Sequence, residues 1–168
     1  DLMFLPAPCD EPVIENCSNV VQDYNIISDW NCQQNYGIET TVPSVLNPLI
    51  SCDNRSENVG QYTDDGTEAY DAFILNYGSI INLNTHNKLK FKLYSNSSIQ
   101  VLAKLEGGSA IEKWSDFSSV NTWQEFSYDF SDSIDNENTT LVLFFNAGQN
   151  NGNPEDIYYI DELRWEEN

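Results

Sequence analysis

The chain is short of positive charge, of histidine and of sulfur. Seven Lys and Arg stand against 27 Asp and Glu, for a formal charge of −20, with one histidine, one methionine and four cysteines in 168 residues. A chain this acidic repels phosphate backbones and anionic lipid heads, so nucleic acid and anionic membranes are poor partners. A neutral ligand or a cation suits the charge better. No run approaches the roughly 20 apolar residues a bilayer span needs, so no membrane insertion is expected. The chain starts at Asp1 without a basic-then-apolar leader, as expected of a protein whose targeting peptide has been removed. One histidine and no CxxC pair argue against a zinc site. No serine is framed as GxSxG, and Gly107 and Gly108 are followed by Ser109 and Ala110 without a lysine, which removes serine-hydrolase and phosphate-loop chemistry.

What is present builds a core. Forty per cent apolar and 12% aromatic residues supply the surface that disordered acidic chains lack, and the length suits one domain. Cys9, Cys17, Cys32 and Cys52 all lie in the first third and form an even set, which predicts two disulfides in an oxidising, extracellular setting, secreted or cell-surface. Local closure favours Cys9 with Cys17 and Cys32 with Cys52, and the other connectivities stay open.

Hydrophobic periodicity is that of strands. Lys88–Ser95 alternates Leu89, Phe91 and Leu93 with Lys88, Lys90, Lys92 and Tyr94. Ile99–Glu106 turns Ile99, Val101, Ala103 and Leu105 inward against Gln100, Leu102, Lys104 and Glu106. Only Asn96, Ser97 and Ser98 separate the two, which predicts a hairpin with Lys88, Lys90, Lys92 and Lys104 on one face. That row either pairs with the acidic surplus or forms a strip for an anionic polysaccharide. Further strands are predicted at Val20–Ile27, Asn58–Tyr62, Tyr70–Asn76, Gln124–Phe130, Leu141–Asn146 and Ile157–Trp165. The fold class is all-β, an antiparallel sandwich or jelly roll. Proline-dense residues 1–18 read as a linker or capping arm, and residues 19–168 as the single sandwich domain.

Candidate chemistry is thin. With 27 carboxylates, some pair falls at glycosidase separations of ~5 to 9 Å by chance. Asp161 and Glu162 are adjacent and so point to opposite faces of a strand, unlike a catalytic carboxylate row. His86 sits in a polar stretch with no motif around it. Asp161 interrupts an apolar final strand, where a carboxylate needs either a partner such as Arg164 or Lys88, or a calcium ion. Sequons at Asn16, Asn54, Asn96 and Asn138 are what an Asn-, Ser- and Thr-rich chain produces at random.

Five segments in order, Asn58–Tyr62, Lys88–Ser95, Val101–Glu106, Thr122–Phe130 and Tyr158–Leu163, resemble the carbohydrate-binding modules of galactose-binding-like and family 4/22-type β-sandwiches. Such modules are attached to laminarinases and surface glycan-binding proteins of marine Bacteroidetes. The resemblance spans roughly Asn19 to Trp165. It implies a jelly roll, a structural calcium held by Asp161 with Asp23 as the nearest early-strand match, and no catalysis. The cysteine-bearing first third departs from that pattern.

The function expected is therefore binding of a polysaccharide, with a neutral β-glucan of the laminarin type as the first ligand, by a monomeric module of a larger protein. Aromatics stack on pyranose faces, and Asn, Gln and Asp read hydroxyls. The expected contacts are Trp114, flanked by Lys113, Ser115 and Asp116; Tyr70, after a polar loop; Trp30 and Tyr36, around Cys32; and Asn151, in the amide-rich loop Asn146–Pro154. Trp123, ahead of Phe126, Tyr128 and Phe130, is expected in the core. The alternatives are a calcium-stabilised structural or adhesive sandwich, and a small polysaccharide-degrading enzyme.

Overall fold

Alternating apolar positions become strands that close on each other as two sheets. The computed structural model describes residues 8–35, 37, 39–149 and 156–168. Within them run β1 (Ile26–Ser28), β2 (Ser44–Leu46), β3 (Asn58–Asp64), β4 (Phe73–Asn76), β5 (His86–Tyr94), β6 (Ile99–Glu106), β7 (Ile111–Phe117), β8 (Trp123–Asp129), β9 (Thr140–Phe145) and β10 (Asp156–Glu167). The larger sheet runs β2-β3-β10-β5-β8 with β1 also on β10, and the smaller runs β4-β9-β6-β7. Every strand pairing is antiparallel, so the architecture is the all-β sandwich expected.

The core lies between the sheets. Leu89, Phe91 and Leu93 of β5, Phe126 and Tyr128 of β8, and Tyr158, Ile160, Leu163 and Trp165 of β10 face Phe73 and Leu75, Val101, Ala103 and Leu105, and Leu141, Leu143 and Phe145 of the smaller sheet. Phe91, Phe126 and Tyr128 stack with centroids 5.3 to 6.1 Å apart. The hairpin expected of β5 and β6 does not form: the two strands belong to different sheets, and Asn96–Ser98 carries the chain across the sandwich. Their apolar faces therefore meet across the core, and Lys104 lies on the opposite side of the molecule from Lys88, Lys90 and Lys92.

The first third folds over the outer face of the larger sheet. The disulfides join Cys9 to Cys52 and Cys17 to Cys32, with Cα separations of 4.7 and 5.1 Å, in place of the local pairing expected. Residues 8–18 reach the Ser51–Ser56 turn, where the Val13 amide donates to the Arg55 carbonyl at 2.7 Å. Beneath that turn lies Asp161, fully buried. Asn54 Nδ2 donates to its Oδ2 at 2.9 Å and the Glu162 amide to its Oδ1 at 2.8 Å.

Candidate functional site

A sandwich offers two outer sheet faces, and here they differ. The face of the larger sheet is occupied by the first third and by ion pairs: Lys90 to Glu125 and Glu166, Lys92 to Glu162, and Arg164 to Glu125, Glu162 and Glu166. On the smaller sheet, outward positions of adjacent strands line up in rows. Trp114 of β7 is opposite Leu102 of β6, which is opposite Phe144 of β9. The next row is Glu112, Lys104, Val142 and Ile74. Leu102 is buried although it points outward, because Trp114 and Phe144 flank it. Trp114 itself keeps 48% of its surface exposed. An aromatic and apolar strip thus crosses three strands of an outer face, bordered by polar residues.

Alongside the strip, one row further along the strands, lies a cleft of about 600 Å³. Asp116 and Gln100 are cross-strand neighbours there, Gln100 Nε2 donating to Asp116 Oδ1 at 3.4 Å. Asn146 stands beside them, its amide bonded to the Gln100 carbonyl at 2.8 Å and its backbone at φ 65°, a left-handed value that asparagine tolerates. Ser98, Ser118 and Gln149 complete the polar wall. Tyr70, 69% exposed, borders the same loop: the Gly148 amide donates to the Ala69 carbonyl at 2.8 Å, and a Cβ at Gly148 would come within 3.3 Å of the Tyr70 hydroxyl. Exposed aromatic faces, amides and one carboxylate are the donors, acceptors and stacking surface that read a polyhydroxylated ring.

The basic residue on this face, among those described, is Lys104. Glu106 at 2.8 Å and Glu112 at 3.6 Å hold it, and hydrogen bonding to Glu106 raises its pKa above the ordinary lysine value. The acids are engaged too, since Glu106 and Glu112 meet Lys104 and Asp116 accepts from Gln100. No free cation awaits a sulfate, and the carboxylates are tied up in pairs.

The structure sorts the remaining expected residues differently. Trp30 is not at the surface: 8% exposed, it lies over Gly60 with its indole nitrogen donating to the Val42 carbonyl at 3.1 Å, and it packs against Phe73. Only an edge of it reaches the cleft lined by Asn31, Gln33 and Gln34. Tyr36 and Asn151 lie outside the described residues. Trp123 is buried as expected, but on the outer side of the larger sheet, with Nε1 donating to the Leu49 carbonyl at 2.9 Å. Its register partner is Tyr94, whereas Phe126 and Tyr128 pair with the inward Phe91 and Leu89. His86 lines a separate cleft at the other end with Tyr24, Tyr77 and Trp165.

The calcium ligands expected at Asp161 and Asp23 are not brought together. Asp23 is exposed on a cleft with His86, Glu166 and Glu167, at the C-terminal end of β10, whereas Asp161 is buried in the middle of that strand beneath the Ser51–Ser56 turn. Asp161 is surrounded by donors. Asn54 Oδ1 accepts from the Ser56 amide at 2.9 Å, which fixes its amide so that Nδ2 faces Asp161. Burial pushes the Asp161 pKa up to about 7, while hydrogen bonds from Ser56, Asn54 and the Glu162 amide pull against that rise. Donors rather than oxygen ligands fill its surroundings, and the residues there do not fit calcium.

Phe144, Leu102 and Gln100 were not singled out in the sequence as site residues, whereas Asn146 and Gln149 belong to the amide-rich loop that was. The signal of the first three was there in the outward positions of β6 and β9, but only the cross-strand register places them beside Trp114.

No family model matches this chain, and no curated protein matches it. Solved structures do. An exo-β-agarase superposes with a TM-score of 0.61 at 11% identity over 85% of this chain. The family 11 carbohydrate-binding module of the cellulosomal cellulase Lic26A-Cel5E of Clostridium thermocellum gives 0.54 at 12% identity, covering 85% of this chain and 94% of that one. A carbohydrate-binding module described as specific for non-crystalline cellulose, CBM28, gives 0.51 at 11%, covering 95% and 96%. The chain spans about a quarter (24%) of the agarase's length. At these identities the likeness is one of fold.

Proposed function

We propose that this chain is a non-catalytic carbohydrate-binding module. It takes a neutral polysaccharide chain, a β-glucan of the laminarin type first, across the outer face of the smaller sheet. The carrying observation is the row Trp114, Leu102, Phe144, an exposed aromatic at the edge of an apolar strip flanked by a cleft of amides. The strip stacks on pyranose faces, and Gln100, Asn146 and Asp116 read hydroxyls. Neutrality follows from Lys104 being held by two glutamates and from the charge of −20. Pairing of the face's carboxylates favours holding a glycan over hydrolysing it. The sandwich neighbours include modules named for carbohydrate binding, which supports the reading. Two disulfides fit an oxidising, extracellular location, and no helix among the described residues is long and apolar enough to cross a membrane. The chain acts in this reading as a monomeric part of a larger secreted or surface protein.

Native affinity gels containing laminarin, mixed-linkage glucan, amorphous cellulose, agar, alginate or carrageenan test this directly. Retardation by a neutral glucan is expected. Retardation by none of the six removes the proposal, and retardation only by alginate or carrageenan removes the neutral-ligand part of it. Release of reducing ends above a heat-killed control would show that catalysis was wrongly set aside.

A further inference from the structure

We propose that Asp64, Asp65 and Asp71 form a calcium site that ties the end of β3 to the start of β4. This goes beyond the glycan reading and does not depend on it. Oxygens of the three carboxylates lie within 4.8 Å of one another, the span of two ligands on one ion with bonds of ~2.4 Å. None of the ion pairs among the described residues, which include all seven Lys and Arg, involves these three aspartates.

The hydrogen bonds inside the loop leave part of each group over. Asp64 Oδ1 accepts from the Gly66 amide at 2.8 Å, and Asp65 Oδ1 from the Thr67 amide and hydroxyl at 2.9 and 2.6 Å. Asp71 Oδ2 is buried and meets no donor among the described residues, its carboxyl lying against those of Asp64 and Asp65. A second orphan lies next to the cluster. Tyr158 pairs with Tyr62 and Asp156 with Asp64 in the β10–β3 register, so Tyr158 is on the inner face one step from Asp64. Its ring is 1% exposed and its hydroxyl, too, is buried without a partner among the described residues.

Three carboxylates crowded against buried oxygens that lack described partners, with no Lys or Arg paired to them among the described residues, are stabilised by a hard cation, which oxygen donors alone can hold. The site lies in the loop that leads to Tyr70, so the ion also orders the approach to β4.

Two measurements test it on the whole chain. After treatment with EDTA, saturating calcium should raise the melting midpoint by about 5 °C or more, with magnesium substituting poorly. Terbium should show emission sensitised by the adjacent tyrosines and displaced by calcium. Asp65→Asn, at an exposed position that leaves the fold intact, should weaken terbium binding at least tenfold, and Asp65→Asn with Asp71→Asn should abolish both responses. Asp161→Asn should keep both. Absence of both responses in the parent overturns the site, and so does an undiminished response in Asp65→Asn. A chain that binds calcium but no glucan sinks the functional proposal and leaves this one standing, and the reverse result does the opposite.

Discussion

Two tryptophans differ at the scale of one residue by strand parity and cover. Trp114 is 48% exposed on an outer row, so Trp114→Ala should lower glucan affinity at least several-fold while leaving the melting midpoint nearly unchanged. Trp123 is wedged between Tyr94, at 5.7 Å, and the Leu49 carbonyl that its indole N–H bonds. Trp123→Ala should cost about 3 to 5 kcal/mol in chemical denaturation and leave the affinity of the folded fraction intact. The opposite sorting would place the ligand on the larger sheet. Asp161 gives a second residue-scale prediction. Its native pKa of about 7 lies above the ordinary carboxylate value of 3.8, so between those limits the native state binds more protons than the unfolded chain. Stability contributed by protonated Asp161 is thus complete below about pH 4 and lost as pH rises to 7, by an amount on the order of 1 to 4 kcal/mol. Urea unfolding at pH 5 and pH 7 in EDTA should show the protein more stable at pH 5, and Asp161→Asn should flatten the difference. Equal pH slopes for parent and variant would show that another group carries it.

Elements with one wet and one buried face, or with a continuous apolar run, were legible in the sequence, and elements with neither were not. β5, β6 and β8–β10 follow from period-2 alternation or apolar runs, and each forms within a few residues of its expected place. β7 was not predicted because it is an edge strand: Lys113 and Ser115 take inward positions and Glu112 and Asp116 outward ones, so the alternation that marks a strand is missing. Trp114 was recognised as informative, but its partners were not, since Leu102 and Phe144 become its neighbours only through the β6 pairings. β2 is three residues long, with its two ends exposed, and gives no signal. The β5–β6 hairpin failed because alternation reports which side of a strand is buried, not which sheet the strand joins. Trp30 was misread for a related reason: the polar residues around it describe the loop and not the indole, which turns inward over Gly60 of β3. That contact yields a prediction for the element. A Cβ at Gly60 would collide with the ring carbons of Trp30 and lie 2.7 Å from its nitrogen. Gly60→Ala should therefore destabilise the protein by about 1 to 3 kcal/mol, more than Gly37→Ala, where a Cβ meets nothing within 4 Å. Comparing the two urea midpoints checks it.

The whole molecule is a sandwich with one sheet face covered by the chain's own first third, and covalent bonds hold that cover. The Cys17–Cys32 loop is nested inside the Cys9–Cys52 loop, with sequence separations of 15 and 43, so the longer closure spans the entire cover. Local closure predicted otherwise because it counts only chain entropy, whereas the native contacts bring Val13 to Arg55 and so carry Cys9 to Cys52. In the chain-entropy account, the longer loop contributes up to about 4 kcal/mol and the shorter up to about 3. The two bonds also differ in what they press against the sheet. Cys52 opens the turn whose Asn54 lies over Asp161, while Cys17 and Cys32 close a loop next to β1. Cys9→Ser with Cys52→Ser should therefore have two effects, a lower urea midpoint and a weaker pH dependence, because loosening the turn lets water reach Asp161 and returns its pKa towards 3.8. Cys17→Ser with Cys32→Ser should lower the midpoint by a smaller amount and leave the slope between pH 5 and pH 7 as in the parent. Both variants should still bind glucan, since the cover and the aromatic strip lie on opposite sides of the sandwich. Loss of glucan retardation in either variant, with the fold retained by circular dichroism, would mean that the covered face and not the strip carries the ligand.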